Sequence, residues 1–395
     1  MIESTQTKEK KIYDSVHGFI LLDATEALVL QTPAFDRLRY LHQLGCAYFI
    51  YPGATNTRYE HSLGVLFCAT KIFDHLFENS QLLSSEEKRE YRSMLRLAAM
   101  LHDIGHLPFS HAGERLVLGP EGHEKKAMAI LDDPSFDSIE MKEQIKCIAF
   151  GISHDDWMIN LLSDIITHDF FGADRIDYLL RDAKFTGLAY GHFDYEQVID
   201  KLCLISQDDG WTLGVKESGL ASIEALILSR YFMHQRLYKH DGVIAYAMHM
   251  AKVLERYFLK ALQTENVKDY LAITDIEILH FIRNTKNDDP HLMALQKKEP
   301  FFAFKIKPLA PQEEMDKELQ MLLQPGIEPY FGTRLQPKKQ AKFFIKTKLG
   351  PLKSSKELSF FCQPEILSIK KYWLFVQESL KPYILDQSFK TFEIV

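Results

Sequence analysis

The sequence predicts a mainly α-helical protein with a small α+β region at its C-terminal end. Three observations lead there. Apolar residues recur at helical spacing through most of residues 24–257, and short aromatic alternations replace that pattern after about residue 300. Apolar (46%) and charged (26%) contents are those of a soluble globular chain, which excludes disorder as the main state.

The first eleven residues, MIESTQTKEKK, are polar and charged with no apolar core, so they read as a flexible tail and not as a secretory signal. Residues 12–299 read as one large helical domain and residues 300–395 as the small α+β region, a division that suits a length of 395 residues. Over residues 62–77, Leu66, Ala69, Phe73, Leu76 and Phe77 share one face and predict a buried helix. A second helix is expected over residues 86–103, stopped by Gly105 with Pro108 beyond it. Others are expected over 157–169, over 174–183 ending near Gly187, and from 220 through 240, continuing past Gly242 toward 261. In the last hundred residues FFAFKIKPLAP and AKFFIKTKL have the alternation of strands, and KKYWLFVQESLKPYI reads as one more helix.

A net charge of −7 argues against a chain built to coat nucleic acid or an anionic membrane. No run of about eighteen apolar residues offers a membrane span. The five cysteines form no CxxC motif and read as reduced thiols, so the expected compartment is the cytoplasm. The 16 histidines are unusual, and His102, His106, His111 and His123 crowd into one stretch. Imidazole binds metals and titrates near neutrality.

The central signal is LHDIGH, residues 101–106. His102 and Asp103 are both good ligands for a divalent ion, but neighbours on a helix diverge by about 100°, so they converge only on an ion beyond the helix end. Gly105 and Pro108 end the helix there. His61, in RYEHS, and Asp174, in FFGADRIDYLLRD, add ligand atoms at two further helix starts, off the apolar faces. A plain helix cap for Asp174 and a core histidine for His61 are the competing readings.

Taken together, KIYDSVHGFI, TPAFDRLRYLHQLG, FIYPGATNTRYEHSLGV, LHDIGHLPFSH, DRIDYLLRDAKFTG and RYFMHQRLYKH resemble the deoxynucleoside triphosphate triphosphohydrolases of the HD superfamily. The nearest branch is the one that includes the sterile-alpha-motif-and-HD-domain dNTPase, and the likeness covers about residues 11–285. The resemblance implies an HD-domain helical core in which His61, His102, Asp103 and Asp174 hold one divalent metal: Fe, Mn, Zn, Ni, Co or Mg. It implies that His111 and His123, with His106 nearby and Glu114 paired to a histidine, line the phosphates and move protons. Arg58, Arg175 and Arg230 would clamp phosphate oxygens. Gln43 and Asp182 would bind the sugar 3′-hydroxyl, and Leu44 and His234 would line the same pocket. Tyr178 and Tyr238 would pack on the sugar, Tyr238 crowding a 2′-hydroxyl. Lys239 stands where the best-known member has glutamine facing the base, which leaves base preference open.

The implied activity is hydrolysis of dNTPs to deoxynucleoside and inorganic triphosphate. Action on another phosphoester, or nucleotide binding without turnover, are the alternatives. The family habit of forming dimers or tetramers extends to this chain as an expectation, as does a nucleotide activator near the N-terminal segment. There Lys11 and Arg39 match the family, whereas Gln31, Asp36 and Tyr13 depart from it. Gln31 lacks the paired acceptors of a carboxylate, so a guanine-selective activator is not expected.

Overall fold

A computed structural model describes residues 9–119, 122–331, 343–348, 350–362 and 372–395. Among them, the helices of eight or more residues are α1 (Arg58–Phe77), α2 (Ser85–Leu101), α3 (Gly122–Leu131), α4 (Lys142–Phe150), α5 (Trp157–Thr167), α6 (Ala173–Thr186), α7 (Leu220–Met233), α8 (Asp241–Val253), α9 (Asp275–Asn284), α10 (Pro290–Lys297) and α11 (Gln312–Leu322).

The helix expected from residue 62 starts earlier, at Arg58, because Thr57 and Glu60 form a capping box in which each side chain bonds the other's backbone N–H. Ser84 and Glu87 start α2 the same way. Val65, Leu66, Ala69 and Ile72 of α1 are fully buried with Ala98 and Leu101 of α2 and Leu162 and Ile165 of α5. Each buried Leu or Ile contributes roughly 1.5–3 kcal/mol, so this core, which also takes in Ile176 and Leu179 of α6, fixes α1 against α2 and α6, the three helices that carry the histidine and aspartate signals.

Several expectations are corrected. Residues 10 and 11, read as tail, belong to a strand, Lys10–Asp14, which pairs antiparallel with Gly18–Leu22; residues 1–8 lie outside the described residues. A second hairpin, Leu202–Gln207 with Gly210–Lys216, interrupts the helical span. Its turn is Asp208–Asp209 before Gly210, a hairpin signal that the helical reading passed over. The helix from 220 does not run on: a π turn, His234–Tyr238, ends it, and His240 caps a separate helix, α8.

The expected helix in KKYWLFVQESLKPYI is instead a strand, Tyr372–Val376, followed by the short helical turns Glu378–Leu380 and Lys381–Leu385; residues 370 and 371 are outside the described set. This strand is buried on both faces. Leu374 and Val376 pack toward Met315 and Leu319 of α11, and Trp373 and Phe375 pack against Ile244, Ala245 and Met248 of α8. Such a strand is a continuous apolar run, which periodicity cannot separate from a buried helix. It is central in a sheet ordered Phe392–Ile394, Phe302–Pro308, Tyr372–Val376, Ile327–Phe331. Phe302–Pro308 fulfils the first expected strand. The second gives Phe344–Lys346, which pairs in parallel with Gly210–Lys216 and so joins the helical body's sheet; its residues 341, 342 and 349 are not described. Among the described residues no helix is long and apolar enough to cross a membrane.

Candidate metal centre

The end of α2 delivers the first two groups. Helix hydrogen bonding stops at Leu101, and His102 takes the C-cap position with Asp103 beyond it. His102 Nδ1 donates to the Ala99 carbonyl at 2.8 Å, which leaves Nε2 as the nitrogen with a lone pair. That Nε2 is buried and has no hydrogen-bond partner among the described residues. His61, in the first turn of α1, donates from Nδ1 to Asp177 Oδ2 at 2.7 Å, which turns its Nε2 toward Asp103 and Asp174. Asp174 is not the cap of α6. Gly172 holds that position without a side-chain bond, and a Cβ there would meet the Ile166 carbonyl oxygen at 2.4 Å. Asp174 is thereby left to face the two histidines.

His61, His102 and Asp103 bring ligand atoms within 4.8 Å of one another, and Asp174 adjoins the two histidines. Asp174 Oδ1 is 3.1 Å from His61 Nε2 and 3.9 Å from His102 Nε2. Asp103 presents Oδ2 at 3.6 Å from His61 Nε2 and Oδ1 at 3.4 Å from His102 Nε2. Ligand atoms bound at about 2.0–2.2 Å to one ion lie at such separations from each other. The unpartnered, buried His102 Nε2 fits a cation at their centre, and two imidazoles with two carboxylates suit Fe, Mn, Zn, Ni or Co. Burial opposes ionisation of Asp103, but Arg58, His102 and His106 hold it well below the usual carboxylate range. Asp174 is lowered too, against burial, by His61, His102 and Arg175.

A second group of side chains adjoins the first. His106 is buried, with Nε2 donating to Asp103 Oδ1 at 3.1 Å, and burial first, then Arg58 and His123, keep it neutral. His123 stacks on it, ring centroids 3.5 Å apart. Glu114 accepts from His111 Nδ1 at 2.7 Å and from both the backbone N–H and Nδ1 of His123. Despite burial, those two histidines hold Glu114 far below the usual carboxylate range. The backbone leading here is left-handed at Phe109, Ser110 and Gly113, a conformation that costs non-glycine residues energy and is found at functional sites.

Two turns beyond Asp174 on α6, Asp182 is buried. Its Oδ1 accepts from Asn56 Nδ2 at 2.9 Å and its Oδ2 from the Tyr238 hydroxyl at 2.8 Å; burial pushes its pKa up to about 6. Tyr238 lies edge-on to Tyr178 at 6.0 Å and to His234 at 4.8 Å. The π turn, closed by Lys239 N–H to the His234 carbonyl at 2.9 Å, re-aims Tyr238 and the buried Lys239 relative to the regular face of α7. Gln43 Oε1 and Arg230 Nε are buried without hydrogen bonds among the described residues, and Leu44 packs half-buried on the core. Two arginines are engaged within the protein. Arg58 donates to Asp103 and, at 3.0 Å, to Ser110; Arg175 donates to the Thr167 and His168 carbonyls and to Asp169, tying α5 to α6.

Of the activator residues, Lys11 lies over the Phe19 ring at 3.8 Å beside the exposed Tyr13. Gln31 donates back to the Ala27 carbonyl at 3.2 Å, and Arg39 pairs with Asp36 at 2.9 Å while covering the Tyr59 ring. The sequence reading missed Asp177 and Asn56. Asp177 was signalled by its i, i+3 spacing from Asp174, and Asn56 by its place just before the capping box of α1.

Comparison with known proteins identifies the domains that carry these residues. The HD domain family model matches residues 58–186, and the HD associated region matches residues 193–301. An uncharacterized protein of Methanocaldococcus jannaschii is 34% identical over 70% of this chain and 56% of its own length. Human deoxynucleoside triphosphate triphosphohydrolase SAMHD1 is 28% identical over 67% of this chain and 46% of its own. The chain thus spans about half the length of these relatives. The solved structure of a hypothetical protein from Aquifex aeolicus superposes with a TM-score of 0.79 at 28% identity, covering 95% of this chain and 98% of that one. The chain belongs to the HD-domain family, with an HD domain over residues 58–186 followed by the HD associated region.

Proposed function

We propose that this chain is a metal-dependent phosphohydrolase that converts deoxynucleoside triphosphates to deoxynucleoside and inorganic triphosphate. One observation carries the reading: α6 bears the metal-facing Asp174 and, two turns on, Asp182 closed by the Tyr238 hydroxyl. A phosphate-reactive centre and a hydroxyl-binding carboxylate therefore lie on one helix.

His61, His102, Asp103 and Asp174 would hold the ion, which would supply a water of lowered pKa and neutralise charge on the α-phosphate oxygens. His106 positions Asp103 through its Nε2–H and, being buried and neutral, is a positioning group. Glu114 fixes Nδ1 of His111 and His123, leaving each Nε2 to hold or deliver a proton to the leaving 5′-oxygen. Arg230 binds phosphate oxygens. Tyr178 and Tyr238 pack on the sugar, Gln43 and Asp182 take its 3′-hydroxyl, and Leu44, His234 and Lys239 complete the pocket. The resemblance to the family supports a dimer or tetramer, and the unpaired cysteines support the cytoplasm as the compartment.

A second reading has one observation in its favour. Arg58 and Arg175, expected on the phosphates, are bound to protein groups, which suits a smaller phosphoester. Chromatography of the products from each dNTP and from nucleoside monophosphates, with Mg²⁺, Mn²⁺, Fe²⁺ and Co²⁺, separates the two. Inorganic triphosphate supports the first reading; turnover of monophosphates alone supports the second.

A further inference from the structure

The turn of the N-terminal hairpin lies outside the residues matched by the HD domain, yet it reaches the metal centre. Asp14 Oδ1 accepts the backbone N–H groups of Val16 and His17 at 2.9 and 2.8 Å, and this tight turn directs the His17 ring inward. The ring stacks on Phe67 at 4.8 Å, and its Nε2 donates to Asp177 Oδ1 at 2.7 Å. Arg181 binds the same carboxylate through Nε and Nη2, both at 2.9 Å, and returns to Asp14 Oδ2 through Nη1, also at 2.9 Å. The remaining approach to Asp177 is the bond from His61 Nδ1. Asp177 and Arg181 are wholly buried.

The arrangement leaves no slack. A Cβ on Gly64 of α1 would fall 1.8 Å from Asp177 Oδ1 and 2.5 Å from Arg181 Nη2, so glycine is needed for α1 to approach. His17 Nδ1 is buried with no partner among the described residues. A phenylalanine would fill the same stacking position without stranding that atom. What the histidine adds is its Nε2, bonded to Asp177 at 2.7 Å and approached by Cys68 Sγ at 3.8 Å.

We propose that His17 is a positioning residue of the metal centre, acting through Asp177 to fix the His61 ring, so that the N-terminal hairpin is a working part of the HD site. A carboxylate on the far nitrogen of a ligating histidine sets its tautomer and orientation, and disturbing such a partner commonly weakens metal binding 10- to 100-fold. His17 stands one step further out and holds the carboxylate itself. The inference rests on the reading of His61 as a ligand.

The test titrates Co²⁺ into metal-free full-length protein. It records the Co²⁺ visible spectrum and the dissociation constant against a competing chelator. His17→Leu should bind Co²⁺ about 10-fold more weakly, with an altered spectrum. His17→Gln, whose amide nitrogen reaches the place of Nε2, should restore both readouts. His17→Asn, too short to reach, should not. The Gln and Asn pair decides the matter if His17→Leu does not fold. Wild-type affinity and spectrum in His17→Leu or in His17→Asn would overturn the proposal. His61→Ala distinguishes the two levels: a full equivalent of Co²⁺ bound there would show that the ligand assignment, and not only the role of His17, is wrong.

Discussion

The two sides of the centre are built differently. On the His61–His102 side the ligands sit at the ends of long, box-capped helices, are buried, and have their far nitrogens tied to Asp177 and to the Ala99 carbonyl. On the His111–His123 side a four-residue helix, Glu114–Val117, follows left-handed backbone, and one carboxylate holds both imidazoles. The His111 side chain is 70% exposed. Coordination needs atoms that stay fixed before the substrate arrives, and packing supplies that. Proton transfer needs groups that reach the substrate, which leaves them on the surface of the site.

The largest effect should come from breaking the buried side. His102→Ala or Asp103→Ala should abolish bound metal and turnover while far-ultraviolet dichroism stays helical. A full metal equivalent by elemental analysis in both variants would refute the ligand set. Breaking the exposed side should act differently: Glu114→Gln should lower kcat by roughly 10²-fold with metal content unchanged, because the imidazoles lose their orienting carboxylate. Loss of metal in that variant would mean the two sides are not separable.

The sugar wall gives smaller effects. Tyr238→Ala should raise activity on ATP relative to dATP by about 10-fold in kcat/KM, since it opens space beside C2′. An unchanged ratio would show that Tyr238 is not the gate. Asp182 supplies a pH test. Its pKa in the fold, about 6, lies above the ordinary value of 3.8, so on this group's account stability is full below about pH 4 and falls as pH rises through 6. Asp182→Asn, still able to bond Asn56 and Tyr238, should therefore gain on the order of 1–3 kcal/mol at pH 8. The gain should vanish at pH 4, as read by denaturant unfolding with chelator present. The smallest effect concerns activation. Gln31 is turned to its own helix and Asp36 to Arg39, so GTP alone should change dATP turnover by less than about twofold, given the mispairing of guanine with glutamine. Strong, GTP-specific activation lost in an Arg39 variant would contradict this.

Much of the centre could be read from the sequence, because its ligands sit at helix ends and helix ends carry local signals. Gly105 and Pro108 mark where α2 stops. Thr57-x-x-Glu60 marks where α1 starts, four residues before the expected start at residue 62. What could not be read depends on long-range contacts. Asp177 and His17 look like ordinary polar residues until the hairpin folds onto α6, 160 residues away in sequence. Arg58 and Arg175 look free for phosphate, and only packing engages one with Asp103 and the other with the end of α5. The strand Tyr372–Val376 failed for a different reason: burial on both faces erases periodicity. The segment read as one C-terminal appendage also divides between two sheets, because Phe344–Lys346 returns to pair with Gly210–Lys216.

The most direct test of the account is hydrolysis of dATP by the full-length protein in ¹⁸O-labelled water, with Mn²⁺ bound and His102→Ala run in parallel. Water attacking the α-phosphorus breaks its bond to the 5′-oxygen, so mass spectrometry should find one ¹⁸O in inorganic triphosphate and none in deoxyadenosine. The His102→Ala sample should give neither product. Label in orthophosphate or pyrophosphate, or wild-type turnover without His102, would contradict a metal-centred dNTP triphosphohydrolase.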